Sequence, residues 1–542
     1  MLLEVLSLGI VYPVIKIIVD KNSLSKLFFF NKLNFLQNIE STDLIAAVLI
    51  ILIIVFLIKN AFLFLFTIYK NVFLMDFLSD LKIRMYRIYL KLKYENFIKR
   101  NSSEMLRNIQ QTTIALRSLD AILSIFTEIL VLFGIILVLM YFSLIPTLAI
   151  VIISLLFFFI YLATLKKKIF DLGKESFLLD NTLIKEAIEG FGSYRDIILY
   201  DAKNIFLNDF NNIVIRQNKN LAYVSILTQV TRIVLEQFGV ILIVALAIFL
   251  FSSTASIASS LPILGAYVYA FFKIFPSVNK IIVNTQAIIN SKAPVNDLSK
   301  EIETCEKDYD NENLNNKIEI KKFSKKINLI DVTFKQKSRV IFDQISLDIN
   351  FKDKLGIMGP SGSGKSTLLN LIMGFLKPNS GKIKFDNHEI DQFINSIRKQ
   401  VGYVSQSIYI LDDTIKNNIT LRQKKENVDY KKLDKVIEFC GLEAFLSNTS
   451  QGYETIIGER GVLISGGELQ RIGIARALYN DKEILLFDEF TNQLDDENEE
   501  KILQQVNKLD KTIVMISHKL STLKYCNKLF VIENKKIREL KR

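Results

Sequence analysis

Two stretches of the 542-residue chain hold side chains whose types and order suit phosphate chemistry. The first, Lys354–Asn370, reads KLGIMGPSGSGKSTLLN. A short apolar strand runs into Gly359, Pro360, Ser361, Gly362, Ser363, Gly364, Lys365 and Ser366, and then into a helix. This is the order G-x-x-x-x-G-K-S in a strand–loop–helix setting. Glycines let backbone N–H groups surround phosphate oxygens, helped by the positive end of the following helix. Lys365 is expected at the β and γ phosphates of ATP, Ser366 on Mg²⁺, and Thr367, one residue deeper, at the α phosphate. The second stretch, Ile484–Glu489, reads ILLFDE: a buried strand with two carboxylates at its C-terminal tip, where open α/β sheets place ligands. Asp488 is expected to hold Mg²⁺ through water and Glu489 to polarise the attacking water.

Between and around these two stretches lie further motifs in a fixed order. Leu463–Arg471 reads LISGGELQR, Gln406 closes VGYVSQ, and Thr455–Gly461 reads TIIGERG. Asn492 to Asp495 follow the carboxylates, and His518 sits in VMISHKL. Together these resemble the signature loop, Q-loop, X-loop, D-loop and switch histidine of ATP-binding-cassette proteins. The resemblance extends over essentially the whole chain, as a half-transporter of the exporter type with a fused membrane domain and ATPase cassette.

The resemblance implies roles for Gln406 on Mg²⁺ and in catalysis, for His518 in catalysis, and for Ser465, Gly466, Gly467 and Glu468 at the nucleotide. In that family the signature loop caps the γ phosphate held by the opposite cassette, so one chain cannot complete a site. A second copy of the same chain is expected, because Glu489 and His518 are both present. Two departures stand out. Glu468 replaces the commoner Gln, and Gln336 occupies the usual adenine-stacking aromatic position, two residues after a strand expected to end at Phe334. Base stacking is worth about 1–3 kcal/mol in nucleic-acid binding, so weaker nucleotide affinity is expected, with Phe334 itself in the core.

The elements that position these residues follow from composition. Half the chain is hydrophobic, 23% is charged, and the net charge is +12. Disordered, collagen-like and disulfide-scaffold classes are excluded, and Cys305, Cys440 and Cys526 form no metal-binding spacing. Apolar runs near the ~20 residues that span a bilayer occur at Leu44–Tyr69, Ala121–Phe142, Leu144–Thr164, Ile233–Phe251 and Ile257–Phe275. A shorter first candidate, Met1–Val19, carries Glu4, Pro13 and Lys16; it lacks the basic start and cleavage site of a signal peptide and reads as a truncated span. Between Tyr69 and Ala121, and between Thr164 and Ile233, lie long lysine- and arginine-rich connections, whereas Ser143 and the 251–256 connection are uncharged. The basic connections are therefore cytoplasmic, and apolar spacing such as Phe206, Phe210 and Ile213 continues the helices past the membrane. Membrane topology accounts for the charge, and nucleic acid is not needed as a partner.

The expected fold is an α-helical membrane domain of six transmembrane helices with long intracellular extensions, plus an α/β P-loop ATPase cassette. Its boundaries are residues 1–300 for the membrane domain, 301–326 for a polar linker and 327–542 for the cassette. The expected location is the bacterial inner membrane, multi-pass, with the cassette in the cytoplasm. Glu4–Pro13, Lys185–Lys203 and Phe271–Ile282 resemble lipid-linked oligosaccharide flippases of bacterial protein glycosylation, and amphipathic Ser23–Phe35 resembles their short external helix. The alternatives are a general lipid or lipopolysaccharide-precursor exporter and an ATP-gated regulator that does not pump. Lys59, Arg232 and Lys273 lie near or within spans. Ionisable groups at membrane depth usually face a cavity, so they are candidates for binding an anionic lipid head group. Snorkelling, or pairing with Glu128 and Glu236, is the competing role.

Overall fold

The computed structural model describes residues 41–253, 257–313, 322–458 and 464–540. Two compact units result: residues up to Leu92 with Lys99–Glu306, and Lys93–Ile98 with Lys307 onward. The helices are α1 (Ser41–Leu90), the short α2 (Tyr94–Phe97), α3 (Ser102–Phe142), α4 (Leu144–Gly192), the short α5 (Tyr194–Leu199), α6 (Lys203–Ser253) and α7 (Ile257–Asn313). Among the described residues, five helices are long and apolar enough to cross a membrane. Each of α1, α4 and α6 has about 50 residues, roughly 75 Å at 1.5 Å per residue against about 30 Å of hydrocarbon. They therefore continue past a bilayer, as the basic connections predict. The candidate span Met1–Val19 and the stretch Ser23–Phe35 lie outside the described residues.

Local chemistry sets the helix ends. Asn101 caps α3 by accepting the Ser103 N–H at 3.0 Å. Ser143 alone separates α3 from α4 in an extended conformation, and its carbonyl accepts the Tyr267 hydroxyl at 3.1 Å. Leu57, Phe64, Ile152 and Phe159 are all more than half exposed, the reverse of a water-soluble surface and the arrangement that a lipid solvent requires. In α6, Phe206 and Ile213 are half-buried and Phe210 is exposed. Of the polar stretch Glu301–Lys326, residues up to Asn313 continue α7, and Lys326 opens the first strand.

The cassette is built on two sheets. An antiparallel sheet has the order β2–β1–β4–β5, from Arg339–Asn350 (β2), Lys326–Gln336 (β1), Ser380–Phe385 (β4) and His388–Glu389 (β5). A second sheet has the order β10–β9–β3–β8–β7–β6. Its strands are Lys354–Met358 (β3), Val401–Val404 (β6), Ile484–Asp488 (β7), Thr512–Ile516 (β8), Lys528–Glu533 (β9) and Lys536–Leu540 (β10). All its pairs are parallel except β9 with β10. Every residue of β7 and β8 is buried, as expected of parallel strands covered on both faces. Helix α8 (Lys365–Ile372) covers one face with Leu368, Leu369 and Ile372. Later come α9 (Gly466–Tyr479) and α10 (Asp496–Lys508). Strand β1 runs two residues beyond Phe334, to Gln336. Gln336 pairs with Arg339 across a two-residue hairpin turn that opens on Lys337 at φ 56°. Phe334 is buried in the core, as its position suggests.

Asp353 ties the start of β3 to its neighbours. Its carboxylate accepts the Asn350 N–H at 2.8 Å, the Asn527 amide at 3.1 Å and Lys528 Nζ at 2.7 Å. Burial pushes this carboxyl up, but the donors and the Lys528 charge outweigh it and hold it below its ordinary value. A depressed folded value means that the stabilisation is complete above the unfolded value and is lost as pH falls through the folded one. Asp353→Asn is therefore expected to cost about 2 kcal/mol at pH 7, read as a lower denaturant midpoint for cassette unfolding. The loss should shrink below about pH 4.

Candidate functional site

Strand β3 lies between the parallel strands β8 and β9 and ends at the glycine-rich loop. Gly364 has φ 102°, and a Cβ there would lie 2.6 Å from Ile341 Cγ2 and 2.9 Å from Phe342 Cζ. Conformation and space thus both require glycine. Gly359 has φ 155°, with the Ile532 carbonyl oxygen 2.7 Å from where a Cβ would sit. Lys365 is 7% exposed and folds back on the loop, donating to the carbonyls of Gly359 at 3.0 Å and Pro360 at 3.2 Å. Burial lowers its pKa, and the nearby Glu489 and Asp488 carboxylates partly restore it.

Asp488 is buried at the end of β7. Desolvation raises its carboxyl, and the Glu489 charge adds to this. Hydrogen bonds from Ser366 and Tyr403 and the Lys365 charge oppose it without cancelling it. Glu489 follows with φ 50°, a left-handed conformation that costs a non-glycine residue about 1–3 kcal/mol. Its N–H reaches the Ile516 carbonyl at 3.0 Å, which extends the β7–β8 pairing by one residue. Its carboxylate accepts Gln406 Nε2 and Asn492 Nδ2, each at 2.9 Å. His518 Nε2 lies 2.9 Å from Glu489 and 3.1 Å from Lys365 Nζ. Lys365, Gln406, Asp488, Glu489 and His518 thus converge at one sheet edge.

Ser465 caps α9 through a reciprocal pair with Glu468. The Ser465 Oγ accepts the Glu468 N–H at 3.3 Å. The Glu468 carboxylate accepts the Ser465 N–H at 2.8 Å and its hydroxyl at 2.7 Å. The sequence S-x-x-E is itself a signal for this capping box, which either Glu or Gln can complete. Asn492 opens the stretch that resembles the D-loop. Its position three residues after Glu489 brings its amide back onto that carboxylate.

The three basic candidates in the membrane unit differ in exposure. Lys59 is buried, with its ammonium 4.8 Å from the Phe56 ring centre. Arg232 is exposed and Lys273 half-buried. Glu128 pairs with Lys280 at 2.7 Å, and Glu236 is exposed. An apolar cavity of about 80 Å³ between α3, α4, α6 and α7, lined by Leu139, Phe238, Tyr267 and Phe271 among others, includes none of the three.

The donor set fits Mg²⁺ with ATP: a loop rich in backbone N–H groups, an ammonium, the Ser366 hydroxyl and a buried carboxylate. No cluster of three or more His, Cys, Asp or Glu side chains suited to a metal occurs among the described residues. Mg²⁺ bound through one or two carboxylates and substrate phosphates needs none.

Comparison with known proteins agrees with this geometry. The family described as ABC transporter matches residues 342–492. The alpha-hemolysin translocation ATP-binding protein HlyB of Escherichia coli is 42% identical over 209 residues, 38% of this chain and 29% of that protein. The chloroplastic ABC transporter B family member 29 of Arabidopsis thaliana is 34% identical over 230 residues, 42% of this chain and 36% of that protein. The matches thus span about a third of the length of these curated relatives. The solved structure of a bacterial Atm1-family ABC exporter with ATP bound is similar over 99% of this chain and 92% of its own, with TM-score 0.82 and 20% identity.

The capping box makes a separable prediction. Glu468→Ala removes the reciprocal bonds and should destabilise α9 by about 1 kcal/mol, seen as a lower unfolding midpoint. Glu468→Gln keeps an acceptor for the Ser465 N–H and should stay within about 0.5 kcal/mol of the parent.

Proposed function

We propose, on the premise that the chain is built as an ABC half-transporter of the exporter type, that it couples ATP hydrolysis to export of an amphipathic substrate across the bacterial inner membrane. The observation that carries this reading is the Glu489 carboxylate, fixed by Gln406, Asn492 and His518 beside the glycine-rich loop. Bound Mg²⁺ supplies charge neutralisation on the phosphates and orients them. Lys365 leaves the carbonyls of Gly359 and Pro360 for phosphate oxygens, and Ser366 and Asp488 hold the metal side of the site. Glu489 accepts a proton from the attacking water, and His518 and Gln406 keep that carboxylate in place. A gated regulator that does not hydrolyse ATP has no use for this complete set.

A second copy of the chain completes the reading. Each chain has one glycine-rich loop and one Ser465–Gly467 turn, and in the resembled family these meet across two chains. Because the catalytic groups are intact here, two identical chains suffice. For the substrate, we favour a lipid-linked oligosaccharide or similar amphipathic lipid. Support comes from the resemblance carried by Lys185–Lys203 and Phe271–Ile282 and from the buried ammonium of Lys59 within an apolar helix. A polypeptide substrate is the second reading, favoured by relatives named for hemolysin and leukotoxin translocation.

Glu489→Gln should reduce ATP hydrolysis by about 10²-fold or more while nucleotide binding persists, giving an ATP-trapped dimer by size. Hydrolysis at the parental rate would remove Glu489 from the base role. Lys365→Ala and Gly467→Asp chains should each be inactive alone, yet regain ATPase activity when mixed, because a mixed pair holds one intact composite site. No recovery would sink the shared-site reading. In proteoliposomes, ATP-dependent transfer of a lipid-linked oligosaccharide tests the substrate, and transfer of a polypeptide instead would favour the second reading.

A further inference from the structure

Helix α2 groups with the cassette unit, and its docking there is specific. The Tyr94 ring stacks on Phe375 with centroids 4.7 Å apart and planes 27° from parallel. The Arg398 guanidinium lies 4.9 Å from the same Phe375 ring centre and donates to the Gly374 carbonyl at 2.8 Å. Glu95 accepts the Lys377 N–H at 3.3 Å, and Asn96 donates to Asp308 at 2.7 Å. Phe375 packs on the same hydrophobic core as Tyr403 of β6. Tyr403 is paired in register with Leu486 on β7, two residues before Asp488. Its hydroxyl faces Asp488 Oδ2 at 3.4 Å, a long hydrogen bond.

We propose that Tyr403 is a positioning residue that links the docking of α2 to the orientation of Asp488. This rests on the ATPase reading above. Packing alone would be met by phenylalanine at this place in β6. A half-buried hydroxyl costs free energy unless it is partnered, and the partner it has is Asp488. Ser366 also hydrogen-bonds Asp488. With Ser366 engaged on a metal, Tyr403 would remain as a neutral donor to the carboxylate. Phe375 and Tyr403 pack against the same core, so rotating or withdrawing Tyr94 from Phe375 loosens the packing that aims the Tyr403 hydroxyl. Through Asp488, a movement of α2 becomes a change in metal affinity.

The test uses the full chain in detergent, with Mn²⁺ as probe and a non-hydrolysable ATP analogue, read by the electron paramagnetic resonance of free Mn²⁺. Removing such an outer partner typically weakens metal affinity by about 10–100-fold. The long bond places Tyr403→Phe near the lower end, about tenfold. Nucleotide affinity in EDTA should not change. Tyr94→Ala should weaken Mn²⁺ by a smaller factor, Tyr94→Phe should restore it, and the Tyr94→Ala/Tyr403→Phe pair should be no weaker than Tyr403→Phe alone. Tyr403→Phe within twofold of the parent overturns the proposal, and so does a fully additive double variant. If the parent chain binds no Mn²⁺ with nucleotide, the ATPase reading falls and this proposal with it. Normal binding in both the parent and Tyr403→Phe removes only the role of Tyr403.

Discussion

Parallel pairing of three buried strands is the constraint on which the site depends. Ile516 of β8 is in register with both Ile357 of β3 and Asp488 of β7. All three strands therefore end at the same edge. The glycine-rich loop leaves from β3, the two carboxylates from β7, and Ser517 and His518 from β8. The pairing even outlasts the strands, since the Ser517 N–H reaches the Ile357 carbonyl at 3.2 Å and the Glu489 N–H reaches that of Ile516 at 3.0 Å. Shifting any one strand by a residue would separate the ammonium from the carboxylates and turn every side chain to the other face.

Electrostatics then sets what the edge can hold. Burial penalises both signs here, lowering Lys365 and raising Asp488, and each group partly compensates the other. Lys365 meanwhile satisfies its donors on loop carbonyls and beside His518. These are contacts that an incoming phosphate can replace without leaving a buried donor unpaired. The strain at Glu489 has the same logic. Its φ of 50° turns the carboxylate away from the strand direction and onto Gln406, Asn492 and His518. A relaxed extended residue would continue the line of β7 instead.

How much of this could be read in the residues alone depended on how local the signal was. The glycine-rich loop, the paired carboxylates and His518 are short, ordered motifs, and the structure brings them to one sheet edge. The membrane-crossing helices followed from apolar runs of about 20 residues, and the helical continuations from basic connections without loop signals. Other features were hidden for distinct reasons. The Ser465–Glu468 capping box was present as S-x-x-E but was masked by its overlap with a motif read for another purpose. Tyr403 looked like any alternating strand residue, because only tertiary pairing puts its hydroxyl opposite Asp488. The end of β1 was placed two residues early because Gln336 and Arg339 have no strong strand preference. Their cross-strand register, set by the hairpin, decided the matter. Docking of Tyr94 on Phe375 joins residues far apart in the chain, and no spacing rule reports it.

The net charge of +12 also has a physical resolution in the membrane unit. A water-soluble surface with Leu57, Phe64, Ile152 and Phe159 mostly exposed would associate indiscriminately. Only a hydrocarbon solvent makes such faces neutral in free energy. Hydrocarbon cannot also solvate lysines and arginines, so those must lie beyond the apolar segments or be paired. Both occur. Lys166 to Lys168 are exposed just past the apolar run of α4. Within the same unit Arg100 pairs with Glu301, and Arg216 with Glu175 at 2.6 Å. Lys59 lies well inside an apolar helix, where burial takes it out of the hydrocarbon and its ammonium lies 4.8 Å from the Phe56 ring centre. Desolvating an ammonium is costly unless something compensates it, and the face of an aromatic ring is one such compensation.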